Sequence, residues 1–225
     1  MNKKLLKFET PKVTVDIIIF TIENNKLKTL LIERKNPPFK GRWALPGGFL
    51  KKDEDIQIAA LRELNEETGV KGVYLEQLYT FGEPNRDSRG RVVTVAYFAL
   101  VPRQLMEIKA SDDAADARLF SIVDLPDLAF DHEKIINYVL YRLRNKIQYS
   151  NIIWSLLPKK FTLTEIQKIY EIILGKQVDK RNFRKKLLSL GLLKSVKKAL
   201  VGLRQRPAKL YRFRTTRYLE LKRFF

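Results

Sequence analysis

Residues 48–70 read GFLKKDEDIQIAALRELNEETGV, and this stretch decides the fold of the N-terminal part of the chain. A glycine turn leads into a helix that carries Glu63, Glu66 and Glu67. At about 100° per residue, the spacing i, i+3, i+4 places the three carboxylates on one arc of the helix. Carboxylates this close repel one another, but Mg²⁺ or Mn²⁺ would reverse that cost, because hard divalent cations prefer oxygen ligands and bridge to phosphates. The stretch therefore predicts a metal site for a phosphorylated ligand.

The same stretch resembles the Nudix box, which marks hydrolases of nucleoside diphosphates linked to another group. Its fixed positions are matched by Gly48, Glu54 and the run Arg62-Glu63-Leu64-x-Glu66-Glu67-x-Gly69-Val70. The resemblance implies an α/β/α sandwich with a mixed sheet. It also implies that the Gly47 carbonyl, Glu63, Glu66 and Glu67 ligate divalent ions, with Glu63 and Glu67 foremost. The alternative is an acidic, solvated helix that happens to follow a Gly-Gly turn.

The resemblance also implies roles around the metal. Arg62 is expected to orient a box glutamate through a salt bridge, with Glu54 as its partner. Two or more cations would activate water and neutralise the charge that develops on a diphosphate. The general base stays open between a box glutamate and a later acid, for which the candidates are Glu107, Asp112 and Asp113.

Composition limits the class of protein. The chain has 225 residues, of which 45% are hydrophobic, enough for one large core or two small ones. No apolar run approaches the roughly 18 residues of a transmembrane helix. The N-terminal segment MNKKLLKFETPKV lacks the apolar region of a secretory signal. Cysteine is absent, which excludes disulfides and fits a reducing cytoplasm. We therefore expect a cytoplasmic protein that does not bind membranes.

The net charge of +19 is concentrated in one part of the chain. Residues 1–149 carry 24 basic and 21 acidic side chains, a balance of +3. Residues 150–225 carry 20 basic and 4 acidic ones, a balance of +16. Solubility alone would not confine the charge in this way. The sequence therefore predicts two domains with these bounds, the first Nudix hydrolase-like and the second facing a polyanion.

The first domain alternates β-rich runs with helical periodicity. In chain order we predict strands at 13–21, 27–33 and 42–50, a helix over about 55–68, strands at 74–81 and 91–101, and a helix over about 132–146. The first two strands form a hairpin around an Asn-Asn turn, and the third breaks at Pro46-Gly47-Gly48. Gly69 is expected to cap the first helix.

The polar segment FGEPNRDSRG, residues 81–90, resembles a loop of ADP-ribose pyrophosphatases and their regulatory relatives. A proline about fifteen residues past the box is a mark of ADP-ribose in that family, and Pro84 lies near that distance. Arg86 and Arg89 are predicted to meet a diphosphate or terminal phosphate bidentately. The alternative is a polar hairpin loop with solvated arginines. Gly48 and Arg42 are further ligand candidates, whereas Trp43 is expected in the core.

The second domain has the sequence order of a winged helix. Thr162 and Glu165 form a capping box that opens a helix ended by Gly175. Asp179 is the predicted N-cap of a second, basic helix ended by Gly191. Helix, turn and helix make a helix-turn-helix, and two short β-type runs at 192–196 and 210–213 enclose a basic segment as the wing.

Basic side chains of this domain are predicted to bind double-stranded DNA. The start of the second helix would enter the major groove, where Arg reads guanine and Asn reads adenine, and the wing would meet phosphates. The candidate residues are Lys180, Arg181, Asn182, Arg184 and Lys185 in the helix and Arg204, Arg206 and Lys209 in the wing. The alternatives are a solvated basic domain and RNA binding, for which we find no aromatic stacking platform.

The run LLPKKFTLTEIQKIYEIILGKQVDKRNFRKKL, followed by RPAKLYRF, resembles the winged helix of Nudix-type transcriptional regulators. These join a Nudix sensor to a DNA-binding domain, usually as dimers, and many have a decayed box, whereas the box here is complete. Two hypotheses follow. Either the chain is a DNA-binding regulator, a homodimer, whose Nudix domain binds and hydrolyses an ADP-ribose-like effector, or it is primarily a Mg²⁺-dependent hydrolase with an accessory tail.

Overall fold

The computed structural model describes residues 9–108, 110, 114–196 and 209–222. The N-terminal part contains β1 (Lys12–Glu23), β2 (Lys26–Arg34), β3 (Trp43–Ala44), β4 (Gly47–Phe49), α1 (Ile56–Thr68), β5 (Tyr74–Phe81), β6 (Val92–Leu100), β7 (Ala114–Ser121) and α2 (His132–Lys146). The C-terminal part contains β8 (Phe161–Thr162), α3 (Leu163–Leu174), α4 (Lys180–Ser189), β9 (Leu193–Val196) and β10 (Leu210–Phe213). Within the described part, no helix has the length and apolar character needed to cross a membrane.

The first seven strands form one mixed sheet. Its order is β3-β2-β1-β6-β5, with β4 added to β1 and β7 to β2. Strands β1 and β6 are parallel, and the other pairs are antiparallel. Side chains alternate across β1, so Ile17 and Ile19 share a core cluster with α1, whereas Ile18 and Phe20 share one with α2. A helix on each face of the sheet gives the predicted α/β/α sandwich.

The helix ends at Gly69, Thr162 and Asp179 follow the predicted capping chemistry, whereas the cap at Asp55 was not predicted. Asp55 precedes α1 and accepts a hydrogen bond from Gln57 N–H at 2.8 Å, and Gly69 ends the helix with φ 67°. Thr162 and Glu165 form the full capping box of α3. Asp179 accepts from Asn182 N–H at 2.7 Å at the start of α4. These local signals are readable from sequence because each satisfies backbone groups that the first and last turns of a helix leave unpaired.

One strand prediction was wrong in detail, and one strand was missed. Residues 42–50 do not form one strand with a break at Pro46-Gly47-Gly48, since β3 pairs with β2 whereas Gly47 and Gly48 lie within β4, on β1. Strand β7 was not predicted at all. Its sequence, AADARLFS, has little β propensity, and pairing with β2 along its whole length overrides that preference.

The C-terminal part is a winged helix that shares its core with the first. Strands β8, β10 and β9 form an antiparallel sheet beside α3 and α4. Ile136 and Leu143 of α2 belong to the same buried cluster as Tyr170 of α3 and Phe183 of α4. The chain is therefore continuous in its packing, and the predicted division between residues 149 and 150 stays a prediction.

Candidate functional site

The glutamates of α1 are linked by one arginine. Arg62 binds both oxygens of Glu54, from Nε at 2.7 Å and from Nη2 at 2.9 Å. Its Nη1 donates to Glu63 Oε1 at 2.6 Å and to Glu66 Oε2 at 3.3 Å. Glu63 and Glu67 are buried, whereas Glu66 is exposed. The salt bridge that we expected between Arg62 and Glu54 is present. Through its other contacts, the guanidinium of Arg62 holds three carboxylates close to one another.

Hydrogen bonds from Arg62 and burial shift the pKa values of the carboxylates in opposite directions. Hydrogen bonds from Arg62 lower the pKa of Glu54 to about 2. The pKa of Arg62 is raised in turn, chiefly by the bond to Glu54. Burial raises the pKa of Glu63, and the bond from Arg62 only partly offsets this effect. Glu54 is therefore a fixed counter-charge, whereas Glu63 holds its negative charge at a cost.

The two glycines before Phe49 allow close approach. An added Cβ at Gly47 would overlap the carbonyl oxygen of Val15, and one at Gly48 would overlap Glu63 Oε1. A side chain at either position would therefore displace β1 or the carboxylate. Gly48 thus brings the backbone of β4 directly against Glu63 of α1, and Gly47 brings it against β1.

The donor set suits a hard divalent cation in kind. Among the described residues, no three His, Cys, Asp or Glu side chains lie close enough to hold a metal ion together. Glu63 and Glu66 both accept a hydrogen bond from Nη1 of Arg62. Carboxylates and a backbone carbonyl are nevertheless the ligands that Mg²⁺ and Mn²⁺ prefer.

A cavity of about 250 Å³ opens on the other side of Gly48. It lies between the ends of β1, β2 and β4 and the loops before β6 and α2. The lining residues are Thr14, Asp16, Ile32, Arg34, Asn36, Pro37, Leu45, Gly47, Gly48, Phe49, Arg86, Asp87, Arg89, Phe130 and His132. Gly48 is thus common to the cavity and to the glutamate cluster.

The buried polar wall of the cavity is an ion-pair network. Arg86 donates to Asp131 from Nε at 3.0 Å and from Nη2 at 2.7 Å, and Nη2 also reaches Asp16 at 3.4 Å. Burial opposes the charge of Arg86, but these carboxylates outweigh it and raise its pKa. Asp131 stands at the N-cap position of α2 without capping it. Its carboxylate binds Arg86 instead, so Arg86 is a structural ion-pair partner as well as a lining residue.

His132 completes this wall. Its Nδ1 accepts a hydrogen bond from Leu45 N–H at 2.8 Å, which places the proton of the neutral ring on Nε2, 3.7 Å from Asp16 Oδ1. Burial lowers the pKa of His132, so the ring is neutral near pH 7. The imidazole ties the start of α2 to the segment that enters β4.

Sequence reasoning missed Asp16, Asp131 and His132. Two signals were present: Asp16 is the charged residue within the apolar run VTVDIIIFT, and His132 is the only histidine in the sequence. Asp131 gave no signal beyond a normal N-cap. The three meet only because β1 and the start of α2 lie at the same end of the sheet.

The predicted ligand residues divide into two groups. Gly48, Arg86 and Arg89 line the cavity. Pro84 lines a neighbouring depression with Phe39 and Phe130, and the guanidinium of Arg42 lies over the ring of Phe39 at 5.7 Å. Trp43 is half-buried and packs edge-on against Phe120, as expected for a core residue.

Of the three later acids considered as general base, only Glu107 lies in the described part of the chain. The backbone N–H of Glu107 donates to Thr68 O at 2.9 Å, so Glu107 lies at the C-terminal end of α1. Asp112 and Asp113 lie outside the described residues. The choice between a box glutamate and a later acid therefore stays open.

The start of α4 presents the predicted basic surface. Lys180, Arg181, Asn182 and Lys185 are exposed. Arg184 is half-buried and donates from Nη2 to Thr164 Oγ1 of α3 at 2.9 Å, so it holds the two helices together. In the predicted wing, Lys209 is exposed, and Arg204 and Arg206 lie outside the described residues.

Fold and site together define a Nudix domain joined to a C-terminal winged helix. The family model described as NUDIX domain matches residues 11–139, and the model described as NrtR DNA-binding winged helix domain matches residues 153–213. The chain therefore belongs to the Nudix family, in the group that carries the NrtR winged helix.

Three similar proteins illustrate this membership. The ADPR responsive transcriptional repressor NtrR of Acinetobacter baylyi is 41% identical over 210 residues, which cover 92% of this chain and 83% of that protein. The ADP-ribose pyrophosphatase of Methanocaldococcus jannaschii is 46% identical over 134 residues, 60% of this chain and 76% of that enzyme. The crystal structure of Shewanella oneidensis NrtR complexed with a 27mer DNA superposes with a TM-score of 0.80 at 38% identity, over 90% of this chain and 93% of that one.

Proposed function

We propose that this chain is an ADP-ribose-responsive, DNA-binding transcriptional repressor. One observation carries the proposal. A polar cavity beside the complete glutamate box and the exposed basic residues at the start of α4 belong to two parts of the chain that share one buried core. The relative from Acinetobacter baylyi, similar over nearly the full chain, is named for both properties.

In this proposal the two ends of the chain have separate tasks. The cavity beside Gly48 takes the nucleoside diphosphate, and the exposed residues of α4 enter the major groove of DNA. Lys180, Arg181, Asn182 and Lys185 supply the base and phosphate contacts, and Lys209 supplies a phosphate contact. The similarity to an NrtR bound to DNA supports this arrangement.

A DNA-binding assay tests the proposal. Fluorescence anisotropy would compare DNA from upstream of its own gene with a scrambled duplex of equal length, at fixed salt, with and without ADP-ribose. We expect tighter binding to the upstream DNA and a change of at least about 5-fold in affinity with ADP-ribose. Equal affinity for both duplexes, or no response to ADP-ribose, would overturn it.

Hydrolysis is the second activity that we propose. The complete glutamate set around Arg62 and the similarity to an ADP-ribose pyrophosphatase favour it. Water would attack one phosphorus of the diphosphate, and the P–O bond between the two phosphoryl groups would break, giving AMP and ribose 5-phosphate. A divalent cation such as Mg²⁺ would neutralise the developing phosphoryl charge. Glu63, Glu66, Glu67 and the Gly47 carbonyl would hold it, and Arg62 with Glu54 would orient Glu63.

AMP release from ADP-ribose tests this second activity. Wild type, Glu67→Gln and the matched control Glu33→Gln, a glutamate outside the box, would be compared with Mg²⁺ and with chelator. We expect turnover only with the ion, a loss of at least about 100-fold in Glu67→Gln and little change in the control. If wild type shows no turnover, the chain is a sensor only.

We also propose that two copies form a homodimer, because helix-turn-helix regulators commonly read two half-sites one helical turn apart. Analytical ultracentrifugation of the full chain would show a species of twice the 26.4 kDa chain mass. A monomer at micromolar concentration, with and without DNA, would contradict the dimer.

A further inference from the structure

A second cavity lies where the Nudix domain meets the winged helix. Its volume is about 550 Å³, within the range of roughly 300–1,000 Å³ that is typical of small-molecule pockets, which often form at domain interfaces. The Nudix side is made by the turn between α1 and β5 and by the segment after β6, and the other side by residues at β8 and β10. No described residue lines both this cavity and the one beside Gly48. We call it the junction cavity; its apolar lining includes Leu105, Trp154, Phe161 and Phe213.

The apolar lining comes from both sides of the junction cavity. Phe161 of β8 and Phe213 of β10 lie with ring centroids 5.4 Å apart, and Phe161 is buried in the core that α2, α3 and α4 share. Leu105, on the Nudix side, is 58% exposed, and Trp154, which precedes β8, is half-buried. A concave site with apolar and aromatic walls is the usual form of a ligand site. A molecule held there would contact both parts of the chain.

The charged residues of the lining are all basic. They are Lys71, Lys159, Lys160 and Arg212, and no acidic residue of the described chain lines the junction cavity. All four are exposed, and none of their side chains forms an ion pair or a hydrogen bond with a described residue. Groups of like charge around one opening repel one another unless an anion lies between them. The lining is therefore complementary to a molecule with an apolar body and a negative charge.

DNA binding does not account for the whole of this charge. Lys159, Lys160 and Arg212 belong to the basic C-terminal part, where a surface for phosphates is expected. Lys71 does not, because it lies in the turn after α1, within residues 1–149, whose charge balance is only +3. It nevertheless lines the same cavity as the other three. Basic groups from both parts of the chain thus meet at one apolar site.

We propose that the junction cavity is a second ligand site, which takes a small organic anion with a flat apolar body, such as an aromatic sulfonate, carboxylate or phosphate monoester. The apolar body contacts Leu105 and Phe213, and the anionic group meets the lysines at the rim. This site is separate from the cavity beside Gly48, and its ligand does not depend on the proposed binding of ADP-ribose.

Fluorescence titration of the full chain with two dyes tests the site. 8-Anilinonaphthalene-1-sulfonate has a flat apolar body and an anionic group, and N-phenyl-1-naphthylamine has the same body without the sulfonate. We expect the sulfonate dye to bind at one site per chain. Neither saturating ADP-ribose nor a duplex of random sequence should displace it.

Charge variants separate the two dyes. The double variant Lys159→Gln, Lys160→Gln should weaken binding of the sulfonate dye by about 2-fold to 25-fold, because one exposed ion pair contributes about 1.5-fold to 5-fold. Binding of the neutral dye should change by less than about 2-fold. Lys51→Gln, Lys52→Gln removes another adjacent pair of exposed lysines, which lies outside the junction cavity, and is the matched control.

An apolar variant gives a second readout. Leu105→Asn removes apolar surface from the rim and should weaken both dyes, whereas Val123→Asn, at an exposed apolar residue outside the junction cavity, should weaken neither. A wild-type chain that does not bind the sulfonate dye, or cavity variants that bind both dyes as their controls do, would overturn the second site. Displacement of the dye by ADP-ribose would assign it to the cavity beside Gly48, and displacement by DNA would assign the lysines to phosphates. Either displacement also overturns the second site and leaves the proposed repressor function standing.

Discussion

Arg144 of α2 donates a hydrogen bond from Nε to the carbonyl oxygen of Ile173 in α3, at 2.9 Å. The same helix begins at His132, which lines the cavity, next to Asp131, which holds Arg86. A helix of 15 residues spans about 22 Å. One helix therefore contacts the ligand cavity at its first turn and the winged helix at its last, which makes it a physical connection between the two.

We predict that Arg144→Met uncouples ADP-ribose binding in the cavity from DNA binding by the winged helix. A hydrogen bond from a charged group contributes about 1.5–3 kcal/mol, comparable to a typical coupling free energy of about 1–3 kcal/mol. The factor by which ADP-ribose changes DNA affinity should therefore fall toward 1, while each ligand alone still binds. Anisotropy titrations with and without ADP-ribose measure it. Arg142→Met, an exposed arginine on the same helix, is the control, and an unchanged factor in Arg144→Met would refute the connection.

Asp131→Asn should destabilise the fold. It removes the charge of Asp131 and leaves the guanidinium of Arg86, whose side chain is 3% exposed, with Asp16 as its nearest carboxylate at 3.4 Å. Breaking a buried ion pair in this way costs about 3 kcal/mol. Urea denaturation measures the loss, with the exposed Asp127→Asn as the control. Equal stability of the two variants would show that Arg86 does not depend on Asp131.

Stability should fall as the pH drops below about 6.5 because of His132. Burial lowers the pKa of its folded form, whereas the unfolded ring takes up a proton near its usual pKa of about 6.5. Between the two values the unfolded state binds more protons, so the free energy of unfolding decreases with falling pH, by up to about 1.4 kcal/mol per unit. Urea melts at pH 7.5 and 5.5 measure this slope.

His132→Asn isolates that contribution, because asparagine can still accept the hydrogen bond from Leu45 but does not titrate. Glu63 acts with the opposite sign, since burial raises its pKa and the folded state then takes up a proton more readily. The comparison is therefore the difference between wild type and variant. The same pH slope in both would contradict a buried neutral imidazole.

Replacing both Lys146 and Glu76 by apolar residues should cost less stability than replacing Glu76 alone. Lys146 Nζ donates to Glu76 at 2.8 Å, lies 4.7 Å from the ring of Tyr218 and belongs to a side chain that is 8% exposed. Glu76→Gln leaves a buried ammonium without its carboxylate and should cost about 3 kcal/mol. The double variant Glu76→Leu, Lys146→Met should recover to within about 1 kcal/mol of wild type in urea melts. A double variant as unstable as Glu76→Gln would mean that the pair itself stabilises the fold.

DNA affinity should fall steeply with salt, and the exposed residues of α4 should carry part of that slope. Each phosphate contact contributes about 0.9 to the slope of log K against log salt. Lys180→Gln and Arg181→Gln should therefore each lower the magnitude of this slope by about 1, as measured by anisotropy over a salt series. Lys26→Gln, exposed at the start of β2, is the control. A flat salt response of wild type would contradict the role of α4.

Patterns confined to a few neighbouring residues were predictable. Thr162 and Asp179 were predicted as N-caps because a cap involves only the next three residues. The hairpin of β1 and β2 follows in the same way from its turn. Strand β7 was not predictable, since its pairing with β2 depends on partners 80 or more residues earlier in the chain.

The sequence by itself determined the acidic arc of α1 and the concentration of positive charge in residues 150–225, because these depend only on helical periodicity and composition. The salt bridge between Arg62 and Glu54 was expected from the resemblance to the Nudix box. Only the tertiary structure decided that Asp16, Arg86, Asp131 and His132 form one wall, and that Arg89 binds Asp87 beside the rings of Phe49 and Phe130. The physical reason is that sheet order, and no local spacing, brings the loops before β6 and α2 to the same end of β1.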